Sequence, residues 1–195
     1  MALTYPLSTP TTIGIESIEL RAVNAVAVSQ SPFTYKQQII SHGGQKWEAS
    51  VSIPSVRRDL AASWKAMLVG LKGQVGTFLL GDPDYATPQG TVSSCTLTGS
   101  VGDETVTVVM TGTLKAGDYI QLGAAASARL HQVLQDQSGD GSLEIWPALR
   151  DDYTAATVVF NSPKGVFRLS TNLTSWSINN ASSYGISFEA VEAQT

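Results

Sequence analysis

Strict alternation of apolar and polar side chains marks one stretch of the chain as a half-buried β-strand. The stretch WEASVSI puts its apolar residues on one face and its polar residues on the other: Trp47, Ala49, Val51 and Ile53 against Glu48, Ser50 and Ser52. Similar alternation occurs before it, in IGIESIEL, AVNAVAVSQ and FTYKQQII, and after it in QVGTFLLGDP. The first ninety residues therefore read mainly as strands.

One segment follows the helical period instead. In SVRRDLAASWKAMLVGLKG the apolar residues form a single stripe, made of Leu60, Trp64, Met67, Leu68 and Leu71. This spacing predicts an amphipathic helix over about residues 56–72. Ser55 is the predicted N-cap of this helix, and Gly73 is predicted to end it.

The middle of the chain consists of short β-type runs separated by glycines: VSSCTLTGS, ETVTVVMTG, DYIQLG, RLHQVLQDQ, GSLEIWPAL and ATVVFNS. About six short strands with tight turns predict a small barrel or sandwich. The C-terminal segment resumes alternation around Trp176 and Phe188, and Asn179-Asn180 predicts a turn between its last two strands. The predicted fold class is mainly β with one amphipathic helix.

The charge distribution divides the chain into three parts. Residues 1–90 carry seven Lys/Arg and six Asp/Glu, residues 91–163 carry three and eight, and residues 164–195 carry two and two. Breaker-rich junctions, GDPDYATPQG and NSPKG, separate the acidic middle from its nearly neutral flanks. We therefore expect a discontinuous domain of residues 1–90 plus 164–195 that is interrupted by an inserted small β-barrel, residues 91–163.

Composition excludes several classes of protein. No apolar run is long enough for a transmembrane helix, and the first residues carry no signal-peptide pattern, so we expect no membrane span. The single cysteine, Cys95, excludes a disulfide framework. The net charge of −4 argues against specific nucleic-acid binding. Only 14% of residues are charged, which favours a surface that associates with other subunits.

Candidate catalytic chemistry is sparse. The two histidines, His42 and His131, have no evident nucleophile partner, and no nucleophile elbow is present. The loop from Asp136 to Glu144 superficially matches a calcium loop, but Pro147 stands where the bidentate glutamate should be. We therefore predict no enzyme activity, no catalytic residues, no metal site and no cofactor. Cys95 is expected to be a small apolar strand residue.

Two parts of the chain resemble tail proteins of long-tailed bacteriophages. In the first, residues 30–83, an aromatic–Thr strand, a turn and a Trp-containing strand with Pro lead to a helix with Trp64 and the strand and turn GTFLLGDP. In the second, LKAGDYIQLG is followed by RLHQVLQDQSGDGSLEIWPALR, with its turn from Pro147 to Arg150. The resemblance is to the distal tail or tail-tip (baseplate hub) proteins.

The resemblance implies a structural virion protein that forms a ring joining the tail tube to the host-contacting tip. Its fold would be a split β-barrel/sandwich ring domain carrying the inserted small β-barrel. Expected partners are further copies of this chain, in a ring that is hexameric in members of the family, together with the tail tube protein and tail-tip or hub proteins. Expected localisation is the phage tail, after assembly in the host cytoplasm.

The predicted subunit interface centres on a hairpin with its turn at Gly43-Gly44. Its residues are Phe33, Tyr35, His42, Gly43, Gly44 and Trp47. An isolated two-stranded hairpin is marginally stable, so a neighbouring copy is expected to complete it. The alternative function is a carbohydrate or cell-surface binding module in the inserted barrel, for which Tyr85 and Tyr153 are the candidate aromatic contacts.

Overall fold

The computed structural model describes residues 3–180 and 182–194. Strands contain 50% of the residues and helices 8%. The long helix is α1 (Arg58–Gly70). The strands in chain order are β1 (Leu7–Ser8), β2 (Ser17–Gln30), β3 (Gln37–Arg57), β4 (Phe78–Leu80), β5 (Ser94–Gly99), β6 (Thr105–Thr111), β7 (Thr113–Leu114), β8 (Tyr119–Leu122), β9 (Arg129–Val133), β10 (Gln137–Ser138), β11 (Gly141–Trp146), β12 (Tyr153–Thr157), β13 (Gly165–Leu169), β14 (Trp176–Ile178) and β15 (Ser183–Glu192).

The first sheet joins strands from both ends of the chain, in the order β1-β4-β13-β15-β3-β2, and β14 also pairs with β15. The predicted alternation in β3 holds, because its apolar residues from Trp47 to Ile53 are all buried. The apolar stripe of α1 covers this face, and Trp64 lies in contact with Phe188, their ring centroids 6.1 Å apart. Helix and sheet therefore share one core.

The helix is confirmed, but its predicted cap is wrong. β3 remains extended and paired with β15 as far as Arg57, which is the N-cap residue of α1 and supplies no side-chain cap. Ser55 instead hydrogen-bonds the Ser183 hydroxyl at 2.9 Å across the two strands. Pairing with β15 thus keeps β3 extended past Ser55, the residue that the local sequence favoured as the helix cap. Gly73, with φ +69°, lies just beyond the end of the helix.

The second sheet is built from the middle of the chain, in the order β12-β5-β6-β11-β9-β8. Its alternating residues form a separate core that includes Leu97, Val108, Ile120 and Leu143. Three residues of this region pack instead on the core of the first sheet: the buried Leu130 on β9 and the partly buried Tyr119 on β8 and Trp146 on β11. The two sheets therefore meet along β8, β9 and β11.

The two connections between the sheets run side by side. The Ser162 amide donates to the Ala86 carbonyl at 3.1 Å, and Gly81 lies so close to the Pro163 carbonyl that a Cβ would overlap it. Both sheets are curled into half-barrels, so the mainly β, barrel- or sandwich-like fold class is confirmed. The division into domains 1–90 plus 164–195 and 91–163 stays a prediction.

Candidate functional site

A two-stranded hairpin projects from the first sheet. We define the arm as residues 25–44, which comprise the distal parts of β2 and β3 and the tip between them. Every arm residue except the half-buried Ser31 is exposed. The six arm residues of β2 alone extend roughly 20 Å at the usual strand rise. This length of hairpin lies outside both cores.

The arm exposes apolar side chains on both faces and at its tip. Val28 pairs with Ile39 and Ala27 with Ile40, so each pair shares one face of the ribbon. The exposed large apolar and aromatic residues of the arm are Val26, Val28, Phe33, Tyr35, Ile39 and Ile40. Lys36 is the only Lys, Arg, Asp or Glu in the arm sequence. Such a surface costs little to desolvate and gains by being covered.

The hairpin turn is not where the sequence suggested. Gly43 and Gly44 lie inside β3, where the pairing with β2 shifts from Asn24–Gln45 to Val26–Ser41. Residues 42–44 therefore form a bulge opposite Ala25. The Gly43 φ of +70° suits a bulge as well as a turn, which explains the error.

The true tip is the segment 31–36. Here the Tyr35 amide donates to the Ser31 carbonyl at 2.9 Å, and the Ser31 amide donates to the Lys36 carbonyl at 3.0 Å. Phe33 and Tyr35, which are 92% and 73% exposed, stand at this tip. His42, Gly43 and Gly44 are exposed at the bulge, nearer the body of the protein.

Trp47 is the one predicted interface residue that does not lie on the surface. It is 3% exposed, and its indole N–H donates to the Leu130 carbonyl at 2.9 Å. Its ring meets that of Trp146 edge-on, with centroids 4.5 Å apart. Trp47 therefore fills the junction between the two sheets instead of joining Phe33 and Tyr35 on the arm.

A polar network surrounds the base of the arm. We call the pair Asn24–Gln45 the root, since it is the last ladder pair before the bulge. The Trp146 indole N–H donates to the Asn24 side-chain oxygen at 2.9 Å. The Gln45 amide donates to Glu104 at 2.6 Å and accepts from the Ala148 backbone at 2.7 Å. Sequence reasoning missed this network, because its members are far apart in the chain.

The charged part of the network is more deeply buried. The Arg150 guanidinium lies 3.5 Å from the Glu192 carboxylate and also donates to the Gln45 carbonyl. Glu192, 6% exposed, accepts from the Trp47 backbone amide at 3.1 Å. A carboxylate this buried needs both partners, because an unpaired buried charge is costly.

His131 lies completely buried beside this network. Its Nδ1 is 2.8 Å from the Pro147 carbonyl oxygen. The pKa of the imidazole is lowered to about 4, chiefly by burial and to a smaller extent by the positive charges of Arg150 and Arg129, while the hydrogen bond to Pro147 raises it. The ring is therefore neutral at physiological pH, with its Nδ1–H donating to Pro147.

The two candidate aromatic contacts for ligand binding, Tyr85 and Tyr153, are both half-buried. The Tyr85 hydroxyl donates to the buried Asp118 carboxylate at 2.9 Å, and its ring meets Tyr119 edge-on. Burial, followed by the Asp118 hydrogen bond, raises the pKa of Tyr85. Tyr153 is half-buried beside the second core. Cys95 is buried, and burial raises the pKa of its thiol to about 11.

Within residues 3–180 and 182–194, no group of three or more His, Cys, Asp or Glu side chains is arranged to hold a metal ion. No helix in the described part of the chain is both long and apolar enough to cross a membrane. Neither a protein-family model nor a curated protein sequence matches the chain.

Proposed function

We propose that this protein is a structural subunit of a bacteriophage tail tip. Copies of the chain assemble into a ring, a hexamer by its resemblance to distal tail proteins, that joins the tail tube to the host-contacting tip. Tail tube and tip or hub proteins flank the ring. The protein acts by assembly and not by catalysis, and its place is the phage tail after assembly in the host cytoplasm.

The exposed apolar arm is the observation that supports this proposal most strongly. Six apolar or aromatic side chains between 47% and 92% exposed stand on a ribbon with a single Lys and no Asp or Glu. At about 1 kcal/mol each for their partial exposure, covering them yields on the order of 6 kcal/mol before association costs. A second copy is the occupant that we infer.

The position of the arm suits contacts that repeat around a ring. It extends from the β2–β3 side of the first sheet, whereas β1 occupies the opposite end of the strand order. An element that projects from one side and packs on a different surface of the next copy makes a heterologous contact, the type that closes rings. The low total charge, 14% of residues, fits a subunit with much covered surface.

The experiment compares the intact chain with an arm variant by native mass spectrometry and negative-stain electron microscopy. Phe33→Ser combined with Tyr35→Ser removes the two tip rings without touching either core. Val109→Ser, at a 60% exposed position of β6, is the matched control. We expect the wild type and the control to form one closed oligomer, and the arm variant to stay monomeric with an unchanged circular dichroism spectrum.

Two results would contradict the proposal. One is a wild-type chain that stays monomeric at about 100 µM, where a whole interface with a net association free energy of about 5.5 kcal/mol, from the arm and the other surfaces together, would be half formed. The other is an oligomer that the arm variant forms equally well. A monomeric chain that binds a polysaccharide on a glycan array, and loses that binding on Tyr153→Ala, would support the alternative function as a surface-binding module.

A further inference from the structure

The second sheet, with the turn that follows β11, forms the second half-barrel, and it contacts the arm at its root. Both residues of the root pair, Asn24 and Gln45, bond to side chains or backbone from the region 104–150. We propose that this half-barrel fixes the direction of the arm, with Gln45 as the positioning residue. The functional meaning of this inference rests on the proposed function, in which the arm is the assembly surface.

Gln45 forms hydrogen bonds through its side-chain nitrogen, its side-chain oxygen and its backbone carbonyl. The amide nitrogen donates to Glu104 Oε1 at 2.6 Å, and the amide oxygen accepts from the Ala148 backbone at 2.7 Å. Its backbone carbonyl accepts from the Arg150 guanidinium and, at 2.9 Å, from Gln194 Nε2. Three of these four partners belong to the second half-barrel or the turn after β11, so the bonds set where β3 leaves the body.

Asn24 secures the other strand of the arm. Its side-chain oxygen accepts from the Trp146 indole N–H at 2.9 Å, and the Trp146 ring packs edge-on against Trp47. Trp47 is fixed in turn by its indole bond to Leu130. The chain of contacts thus runs from β2, through Trp146, into the core between the sheets.

The arm needs such an anchor because the ladder is interrupted directly beyond it. Residues 42–44 bulge opposite Ala25, and a Cβ on Gly43 would meet no atom within 4 Å. A bulge gives the strand that carries it a defined local bend and a stronger twist, so the direction of the arm follows from the orientation of the ladder pair at which the bulge begins, which is the root. With an arm of roughly 20 Å, a tilt of about 20° at the root would move the tip by roughly 7 Å. A shift of that size would misplace Phe33 on a neighbouring copy.

The test exchanges the amide and the carboxylate of one hydrogen bond. Gln45→Glu places two carboxylates together and removes the donor to Glu104. Glu104→Gln alone keeps an acceptor for Gln45 and is the matched control. The double variant Gln45→Glu/Glu104→Gln rebuilds a single amide–carboxylate bond in the reverse direction. Trp146→Phe is a second variant, which removes the indole donor to Asn24 and keeps an aromatic ring.

Arm direction is read from the distance between spin labels at Thr34→Cys, on the tip, and Val109→Cys, on β6, in chain diluted with unlabelled protein. Cys95 is left in place, because it is buried and its thiol pKa is raised to about 11, so we expect it to react far more slowly than the two introduced cysteines. We expect Gln45→Glu and Trp146→Phe to widen the distance distribution at least twofold. The double variant should return it to the wild-type width, and Glu104→Gln should leave it unchanged.

Assembly is measured on the same variants by native mass spectrometry. We expect Gln45→Glu to raise the concentration needed for half-assembly at least tenfold and the double variant to restore it. If Gln45→Glu and Trp146→Phe both leave the distance distribution at wild-type width, the inference is overturned, whatever happens to assembly. If the distributions widen as expected but the arm-tip variant assembles normally, the proposed function fails and the positioning role stands.

Discussion

Acidification is expected to destabilise this protein through His131. The imidazole is fully buried, and burial lowers its pKa to about 4 in the folded state. In the unfolded chain an imidazole titrates near about 6.5. The folded state therefore binds the proton less readily than the unfolded state does. The stabilising contribution of the neutral ring is present above the unfolded pKa and is lost as pH falls from there towards the folded pKa.

The size of the effect follows from the two pKa values. At about pH 5 the unfolded imidazole is nearly all protonated and the folded one about a tenth protonated, which lowers the free energy of unfolding by about 2 kcal/mol relative to about pH 7.5. The complete loss, well below the folded pKa, is roughly 3 kcal/mol. Burial excludes the solvent screening that would weaken the effect at a surface site.

The assay is urea unfolding followed by tryptophan fluorescence across this pH range. His131→Asn is the informative variant, because its amide can still donate to the Pro147 carbonyl but carries no titrating group. His42→Asn, on the exposed bulge, is the matched control. Acidic groups such as Asp136, whose pKa is lowered by hydrogen bonds from Ala116 and Lys115, titrate equally in all three proteins. Parallel pH curves for wild type and His131→Asn would refute the reasoning.

Three further predictions concern the two cores and the connection between them. Trp64→Ala empties the centre of the first core and removes the indole bond to the Ile13 carbonyl, so the free energy of unfolding in urea should fall by about 4 kcal/mol, whereas Val69→Ala on the exposed side of α1 should change it little. Asp118→Ala leaves the Tyr85 hydroxyl and three backbone amides without their acceptor, so hydrogen exchange over residues 85–90 should accelerate; unchanged exchange would contradict this role. Cys95 should react with a thiol reagent at least a hundredfold more slowly than a cysteine placed at Val109, because it is buried and its thiol pKa is raised to about 11; comparable rates would show that β5 opens readily.

The period of the apolar residues was enough to predict the buried part of β3, from Trp47 to Ile53, and the helix α1, because alternate burial in a strand and a single stripe on a helix can both be read from neighbouring residues. It was not enough to place the hairpin turn. Glycines with positive φ serve turns and bulges alike, and the actual tip uses Tyr35 at φ +54°, a residue type that gives no such signal. Local sequence therefore indicated a hairpin but put its turn at the bulge.

The root network could not be predicted from local pattern. Gln45 meets Glu104, Ala148 and Gln194, and no period or motif links such distant positions. The surroundings of Trp47 could likewise not be predicted from local pattern. Its place on the apolar face of β3 was evident from alternation, but only the packing of Trp146 against it shows that this end of the face is closed within one chain.

The side-by-side connections between the sheets make the second half-barrel exchangeable in principle. Because the chain leaves the first sheet near Gly81 and returns near Pro163 at the same place, a unit of different length could occupy the interval without changing how β4 pairs with β13. Loop-closure entropy grows only slowly with length, so the host sheet would tolerate large variation there. Recombination could thus supply new modules at this point, provided that each offers partners for Asn24 and Gln45 and replaces Leu130, which fills the core of the first sheet and accepts from the Trp47 indole.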